Sequence, residues 1–216
     1  MSDQVQLFVD QVRGAVAAKR SLYIVGGGSK VFYGHSAEGD VLETRSHQGI
    51  AAYEPTELVI TARCGTPLAD VEKALADSGQ ILPFEPPYFA VNATFGGAIA
   101  SGLSGPRRAA NNGYYGAVRD YVLGCKIIDG KGDVLSFGGQ VMKNVAGYDV
   151  SRLMAGSMGT LGVILEVSLK VLPAPVASRT LRLGMRDQGG SMIQQNSLFW
   201  APCSRPDSSA RMAWPG

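Results

Sequence analysis

Ten residues, Gly96 to Gly105, constrain this chain more than any others, because their only bulky apolar members are Ile99 and Leu103. Such a run cannot serve as an ordinary core helix, yet it is too regular in small residues to be a linker. Gly96, Gly97, Ala98, Ala100, Ser101, Gly102, Ser104 and Gly105 let a backbone come within van der Waals distance of something flat or phosphorylated. Thr94 is placed to cap a short helix whose free N–H groups would favour an anion. A glycine-rich surface loop is the plainer alternative, and the run alone leaves both open.

The rest of the chain can build a core around it. Its 216 residues are 45% hydrophobic, enough for one larger domain or two small ones. A net charge of +2 supplies no basic field for nucleic acid, and Arg107-Arg108 is too short to be a patch. Cys64, Cys125 and Cys203 have no CxxC spacing, so free thiols in a reducing compartment are expected, and a metal site made from this chain alone is not. Asp3, Asp10 and Arg13 interrupt the N-terminal segment, which does not read as a signal peptide, and no apolar run approaches the ~20 residues of a membrane span. The compartment expected is the cytoplasm. Glycine is the outlier: 28 of 216 residues, against about 7% in ordinary proteins, implies many tight turns or close backbone approaches.

Val5, Phe8, Val9, Val12 and Val16 recur at helical spacing and predict an amphipathic helix near 3–18. Ser21 to Val25 reads as a strand stopped by Gly26-Gly27-Gly28-Ser29-Lys30. Successive N–H groups there form a nest suited to phosphate, with Ser29 or Lys30 adding to it. The loop fits no standard motif, since Val31 stands where GxGxxG needs its third glycine, and a simple strand-to-turn break explains it equally well. Val41 to Thr44 and Glu57 to Ala62 read as strands. Thr66 as N-cap and Pro67 at the first helical position open a helix with Leu68, Val71 and Leu75 on one face, giving a further anion-friendly junction near Gly65. Val118 to Ile128 and Val134 to Phe137 predict a hairpin turning at Asp129 to Gly132, and Asp149 to Ala155 a short helix. Val163, Leu165, Val167, Leu169 and Val171 alternate along a half-buried strand. From Gly184 onward there is no valine, no lysine and one leucine, and neither period survives, so residues 183–216 are expected to be a disordered or aberrant tail.

Taken in order, Gly26 to Ser29, Cys64-Gly65-Thr66-Pro67-Leu68, Thr94 to Ala98, Tyr115-Gly116 with Asp120, Leu123-Gly124 and Gly156 to Gly162 resemble one family. It is the FAD-binding domain of PCMH-type, or vanillyl-alcohol-oxidase-like, flavoproteins. Lys143 to Leu153, Ser104 to Arg108 and Tyr53 to Ala62 make the chain similar to the FAD-binding, or E, subunits of bacterial glycolate oxidases. The resemblance runs from about Leu7 to about Arg182 and implies an α+β fold of two subdomains, 1–80 and 81–182, with FAD between them.

On that resemblance Gly26, Gly27, Gly28, Ser29 and Lys30, together with Thr94, Gly96, Gly97, Ala100 and Ser101, hold the FAD pyrophosphate. Gly65, Thr66, Gly156, Thr160, Gly162 and Ile164 pack along its adenosine side and ribityl chain. Some relatives attach FAD through a histidine where Gly28 stands, so here the flavin is expected to be non-covalent. The implied activity is oxidation of glycolate, a 2-hydroxy acid, to glyoxylate in glycolate catabolism. Electrons would pass through FAD to an iron–sulfur subunit, in a complex that also holds a second flavin subunit and sits in the cytoplasm or peripherally at the inner membrane. Relatives carry a C-terminal cap domain that supplies most substrate contacts, and nothing after Arg182 matches it. The alternative is therefore a non-catalytic FAD-holding or assembly subunit, or a truncated product. His35 and His47 stand alone, and Lys143 and Arg107 face either the cofactor or solvent; no substrate base is assigned.

Overall fold

The 3.6-residue period of the first segment becomes helix α1, Asp3–Ala18, with Val5, Phe8, Val9 and Val12 on its buried face. Lys19 ends it in a left-handed conformation, returning its N–H to Ala15 and Val16. The structure is a computed structural model and describes residues 2–34, 38–108, 116–139, 148–177, 181–186 and 192–197. After α1, strand β1 (Leu22–Val25) pairs in parallel with β2 (Asp40–Glu43). There follow β3 (Ile50–Glu54), β4 (Val59–Arg63), α2 (Leu68–Asp77), β5 (Gln80–Ile81), α3 (Phe95–Ser101), α4 (Val118–Tyr121), β6 (Val122–Ile128), β7 (Val134–Gly138), α5 (Val150–Met154), β8 (Val163–Lys170) and β9 (Leu172–Pro173).

Five of these strands form one sheet in the order β3-β4-β8-β6-β7, with every neighbouring pair antiparallel. Its central strand β8 serves two apolar cores. Val163 and Leu165 pack with α1, Leu42 and Ile128, whereas Ile164, Val167 and Leu169 join Ile60, Leu68, Phe84, Phe95 and Ile99 under α2 and α3. The β6–β7 turn is closed by Asp129, whose carboxylate accepts from the N–H groups of Lys131 and Asp133 at 2.8 and 2.9 Å.

Strand β4 hydrogen-bonds along β8 from Val59↔Lys170 to Arg63↔Glu166, so the sheet joins residues from both sides of position 80, and residues 1–173 form one compact unit. Two expectations change, at residues 118–121 and at Thr66. Residues 118–121 are helix rather than strand: the Asp120 carboxylate accepts from the Ala117 N–H at 2.8 Å and closes a helical turn before β6 begins. Thr66 is not a helix cap. The cap position of α2 is Pro67, and the Thr66 hydroxyl instead donates to the Arg63 carbonyl at 2.7 Å and accepts from the Gly49 N–H at 2.9 Å.

The second unit, Ala174–Gly216, contains an antiparallel pair, β10 (Leu181–Arg186) with β11 (Met192–Ser197). Leu181, Leu183 and Met185 alternate with Arg182, Gly184 and Arg186, a period of two that is cut in half when counting starts at Gly184. Residues 187–191 and 198–216, including Trp200, Cys203 and Trp214, lie outside the described residues.

Candidate cofactor-binding site

Strand β1 runs out at Val25, whose carbonyl accepts from the Thr44 N–H at 2.9 Å and the Thr44 hydroxyl at 3.2 Å. Past that anchor the backbone leaves the ladder. Among the described residues, the N–H groups of Gly26, Gly27, Gly28 and Ser29 donate to nothing. Gly28 takes φ +67°, the left-handed conformation that lets consecutive N–H groups converge into a nest. The loop borders a cavity of about 770 Å³, within the roughly 300–1,000 Å³ of small-molecule and cofactor sites.

Across the cavity stands α3, where Thr94 caps the helix by accepting from the Gly97 N–H at 3.2 Å. Its first N–H groups are already committed: Phe95 donates to Thr66 O, Gly96 to Cys64 O and Ala98 to Thr94 O. The expectation of free helix donors is thereby corrected. What α3 offers is closeness, with Gly97, Ala100 and Ser101 facing the cavity. The third wall is residues 158–164, where the Met158 N–H donates to Ala100 O at 2.9 Å and the Thr160 hydroxyl to Ser157 O at 2.7 Å.

Thirteen of the sixteen residues expected at the site meet at this cavity: Gly26, Gly27, Gly28, Ser29, Lys30, Thr94, Gly96, Gly97, Ala100, Ser101, Thr160, Gly162 and Ile164. The other three do not border it. Gly65 donates its N–H to His47 O, and a Cβ there would press on the Thr44 and Arg45 carbonyls. Thr66 secures the turn beside it, and Gly156, at φ +85°, donates its N–H to Ile99 O. Close backbone packing at Gly65 and the left-handed backbone at Gly156 explain these glycines without a ligand. Leu22, Ile24, Thr44, Cys64 and Met158 also line the cavity. The alternation of Leu22 and Ile24 along β1 is the one sequence signal that could have found any of them.

No carboxylate lines the cavity, and Lys30 is its one cationic side chain among the described residues. Burial pushes the Lys30 ammonium below its ordinary value, and the group sits 5.9 Å from the centroid of the Phe89 ring. Phe89 in turn meets Phe32 edge-on at 4.9 Å. A half-buried cation beside unpaired N–H groups, with no competing acid, is an environment for an anion. His47 is buried in the core, edge-on to Phe8, its basicity lowered by burial and then by Arg63. His35 and Lys143 lie outside the described residues, and only the backbone of Arg107 is described, in a short turn.

Cys64 is 2% exposed, and burial raises its thiol from the ordinary 9.0 to about 12. The folded state therefore holds this proton where the unfolded chain releases it. That contribution to stability is complete below about pH 9 and is lost as the pH rises toward 12. Iodoacetamide at pH 8 is expected to leave Cys64 unlabelled in the folded protein and to label it in urea; labelling of the folded protein at the unfolded rate would contradict the buried thiol. Cys125 is likewise a free, buried thiol raised by burial.

A family profile described as "FAD binding domain" matches residues 3–138. The chain belongs to this FAD-binding-domain family. It is 55% identical over 180 residues to glycolate oxidase subunit GlcE of Escherichia coli, covering 83% of this chain and 50% of that protein. Glycolate oxidase subunit GlcD of Bacillus subtilis is 34% identical over 143 residues, 66% of this chain and 29% of that one. The FAD-binding domain thus spans about half or less of the relatives it matches. Among solved structures, an alkyldihydroxyacetonephosphate synthase superposes with a TM-score of 0.61 at 23% identity, over 80% of this chain and 31% of that one, which supports the fold.

The cofactor of this domain is FAD, and the cavity suits it. A Cβ added at Gly28 would meet open space, one at Gly97 only the Thr94 hydroxyl, so the room beside both glycines belongs to the cavity rather than to protein. Anionic phosphates would find Lys30 and the four unpaired N–H groups of Gly26 to Ser29. Among the described residues no helix is long and apolar enough to cross a membrane, and no cluster of side chains could hold a metal ion.

Proposed function

We propose that this chain is the FAD-holding part of a glycolate-oxidising complex, oxidising a 2-hydroxy acid and passing electrons to an iron–sulfur partner subunit in the cytoplasm, alongside a second flavin subunit. The observation that carries the reading is an acid-free cavity with an unpaired glycine nest, in a chain 55% identical to a glycolate oxidase subunit. Bound flavin supplies the redox chemistry, accepting a hydride equivalent. The chain's residues supply the rest. Gly26 to Lys30 bind the pyrophosphate, Gly97, Ala100 and Ser101 allow the close approach, and Thr160, Gly162 and Ile164 border the remainder of the cofactor.

A second reading, a subunit that holds FAD without itself turning over substrate, is favoured by the lining. Its described titratable side chains are Tyr23, Lys30, Tyr33 and Cys64, with no histidine or carboxylate to take a substrate proton. Flavin reduction by glycolate, followed with and without partner subunits, separates the two. Reduction by the isolated chain would favour the first, and reduction only in the assembled complex the second.

Because Gly28 offers no nucleophile, the cofactor is held non-covalently. The purified protein is expected to show flavin absorption near roughly 370 and 450 nm, and acid precipitation should leave the colour in the supernatant. A yellow pellet would contradict this, and a colourless protein that takes up no added FAD would remove the reading altogether.

A further inference from the structure

We propose that Asn92 is a positioning residue that holds the glycine loop in its anion-binding form. The inference rests on the reading of this cavity as an FAD site. Asn92 lies two residues before the cap of α3 and does not line the cavity, yet its side-chain amide donates to the carbonyl of Gly27, which does. A carbonyl only accepts, so the chemistry of this pair fixes which end of the amide faces the loop. The two segments are pressed together, since a Cβ on Gly27 would overlap the Asn92 carbonyl.

The peptide joining Gly27 to Gly28 is planar and trans, so its C=O and N–H point in opposite directions. Holding the Gly27 carbonyl against Asn92, on the wall side, turns the Gly28 N–H toward the cavity. Among the described residues no other hydrogen bond holds the Gly27 carbonyl. Neither glycine has a Cβ to resist rotation of the peptide, and Gly28 already occupies φ +67°. With the peptide reversed, a carbonyl oxygen would face the phosphates in place of a donor. The same segment fastens the loop a second time through Phe89, which carries Lys30 above its ring and Phe32 at its edge.

The test compares the full chain, freed of flavin, with Asn92→Ala and Asn92→Ser, each titrated with FAD, ADP and riboflavin. ADP carries the pyrophosphate without the flavin ring, and riboflavin the ring without phosphate. In Asn92→Ala, FAD and ADP are expected to bind about tenfold more weakly, the scale of one hydrogen bond to a charged group. Riboflavin binding and the melting temperature of the flavin-free protein should not change. Asn92→Ser, which keeps a donor, should recover part of the loss. Unchanged FAD and ADP affinities in both variants would overturn the positioning role alone, as would a riboflavin affinity that falls in step with FAD. A wild-type chain that binds neither FAD nor ADP would overturn the cofactor reading, and this inference with it.

Discussion

Replacing Gly97 with valine is expected to abolish flavin binding while leaving the flavin-free protein folded. Outside its own helix backbone, a Cβ at this position meets one atom within 4 Å, the Thr94 hydroxyl oxygen at 3.0 Å. That oxygen can yield a few tenths of an ångström, because its partner is the Gly97 N–H across a 3.2 Å hydrogen bond. The two methyls of valine then have nowhere to go but the cavity. Losing the ligand removes its linkage stabilisation, about 2.7 kcal/mol where free FAD stands at ~100 times its dissociation constant. Flavin absorbance of the purified variant, and melting curves with and without added FAD, check this. A variant that stays yellow, or that melts higher on adding FAD as the wild type does, would show that Gly97 does not border the cofactor.

One residue earlier, an added Cβ has the opposite target. Gly96→Ala is expected to destabilise the fold itself by about 1–3 kcal/mol, the range for overpacking a core. Helix propensity alone predicts the reverse, since alanine in place of a helical glycine gains roughly 0.5–1 kcal/mol. Geometry decides against propensity. The new Cβ would lie 2.5 Å from the Cβ of Cys64 and 2.9 Å from its Cα and carbonyl oxygen. Those are atoms of a backbone held on both sides, by Cys64 N–H to Leu165 O and Gly96 N–H to Cys64 O, both 2.8 Å. Thermal or urea unfolding of flavin-free Gly96→Ala and Gly97→Ala side by side tests the contrast. Equal or higher stability in Gly96→Ala would show that the contact between α3 and residue 64 is looser than described.

That contrast marks what a sequence can carry. Local determinants were legible: the apolar period of α1, the alternation of β8, the Asp129 turn and the Thr94 cap each depend on residues within a few positions of one another. The glycine loop after β1 was legible as a nest for the same reason, and most of the expected site residues gather at one cavity. What could not be read is where a backbone donor goes when its partner is distant in the chain. The junctions at Gly28 and Gly65 look alike as strand, glycine and loop. At Gly65 the N–H is taken by His47 O, whereas Gly28's is left to the cavity. The helix α3 misled in the same way, its donors absorbed by Thr66 O and Cys64 O some thirty residues earlier in the chain. Strand pairing between residues near 60 and near 167 likewise leaves no local mark.

Strand β8 lies between β4 and β6, so nearly 100 residues separate β4 from the neighbour that completes it. Loop-closure entropy makes such a pairing slow, and a chain emerging at about 5–20 residues per second leaves β4 without that neighbour for several seconds or more. In that interval Ile60 and Ala62 have no β8 to cover them, and the cavity lacks the wall formed by Thr160, Gly162 and Ile164. Cofactor capture therefore waits on translation: on the proposed reading, the glycine loop that follows β1 cannot hold a pyrophosphate until the much later strand β8 has been made.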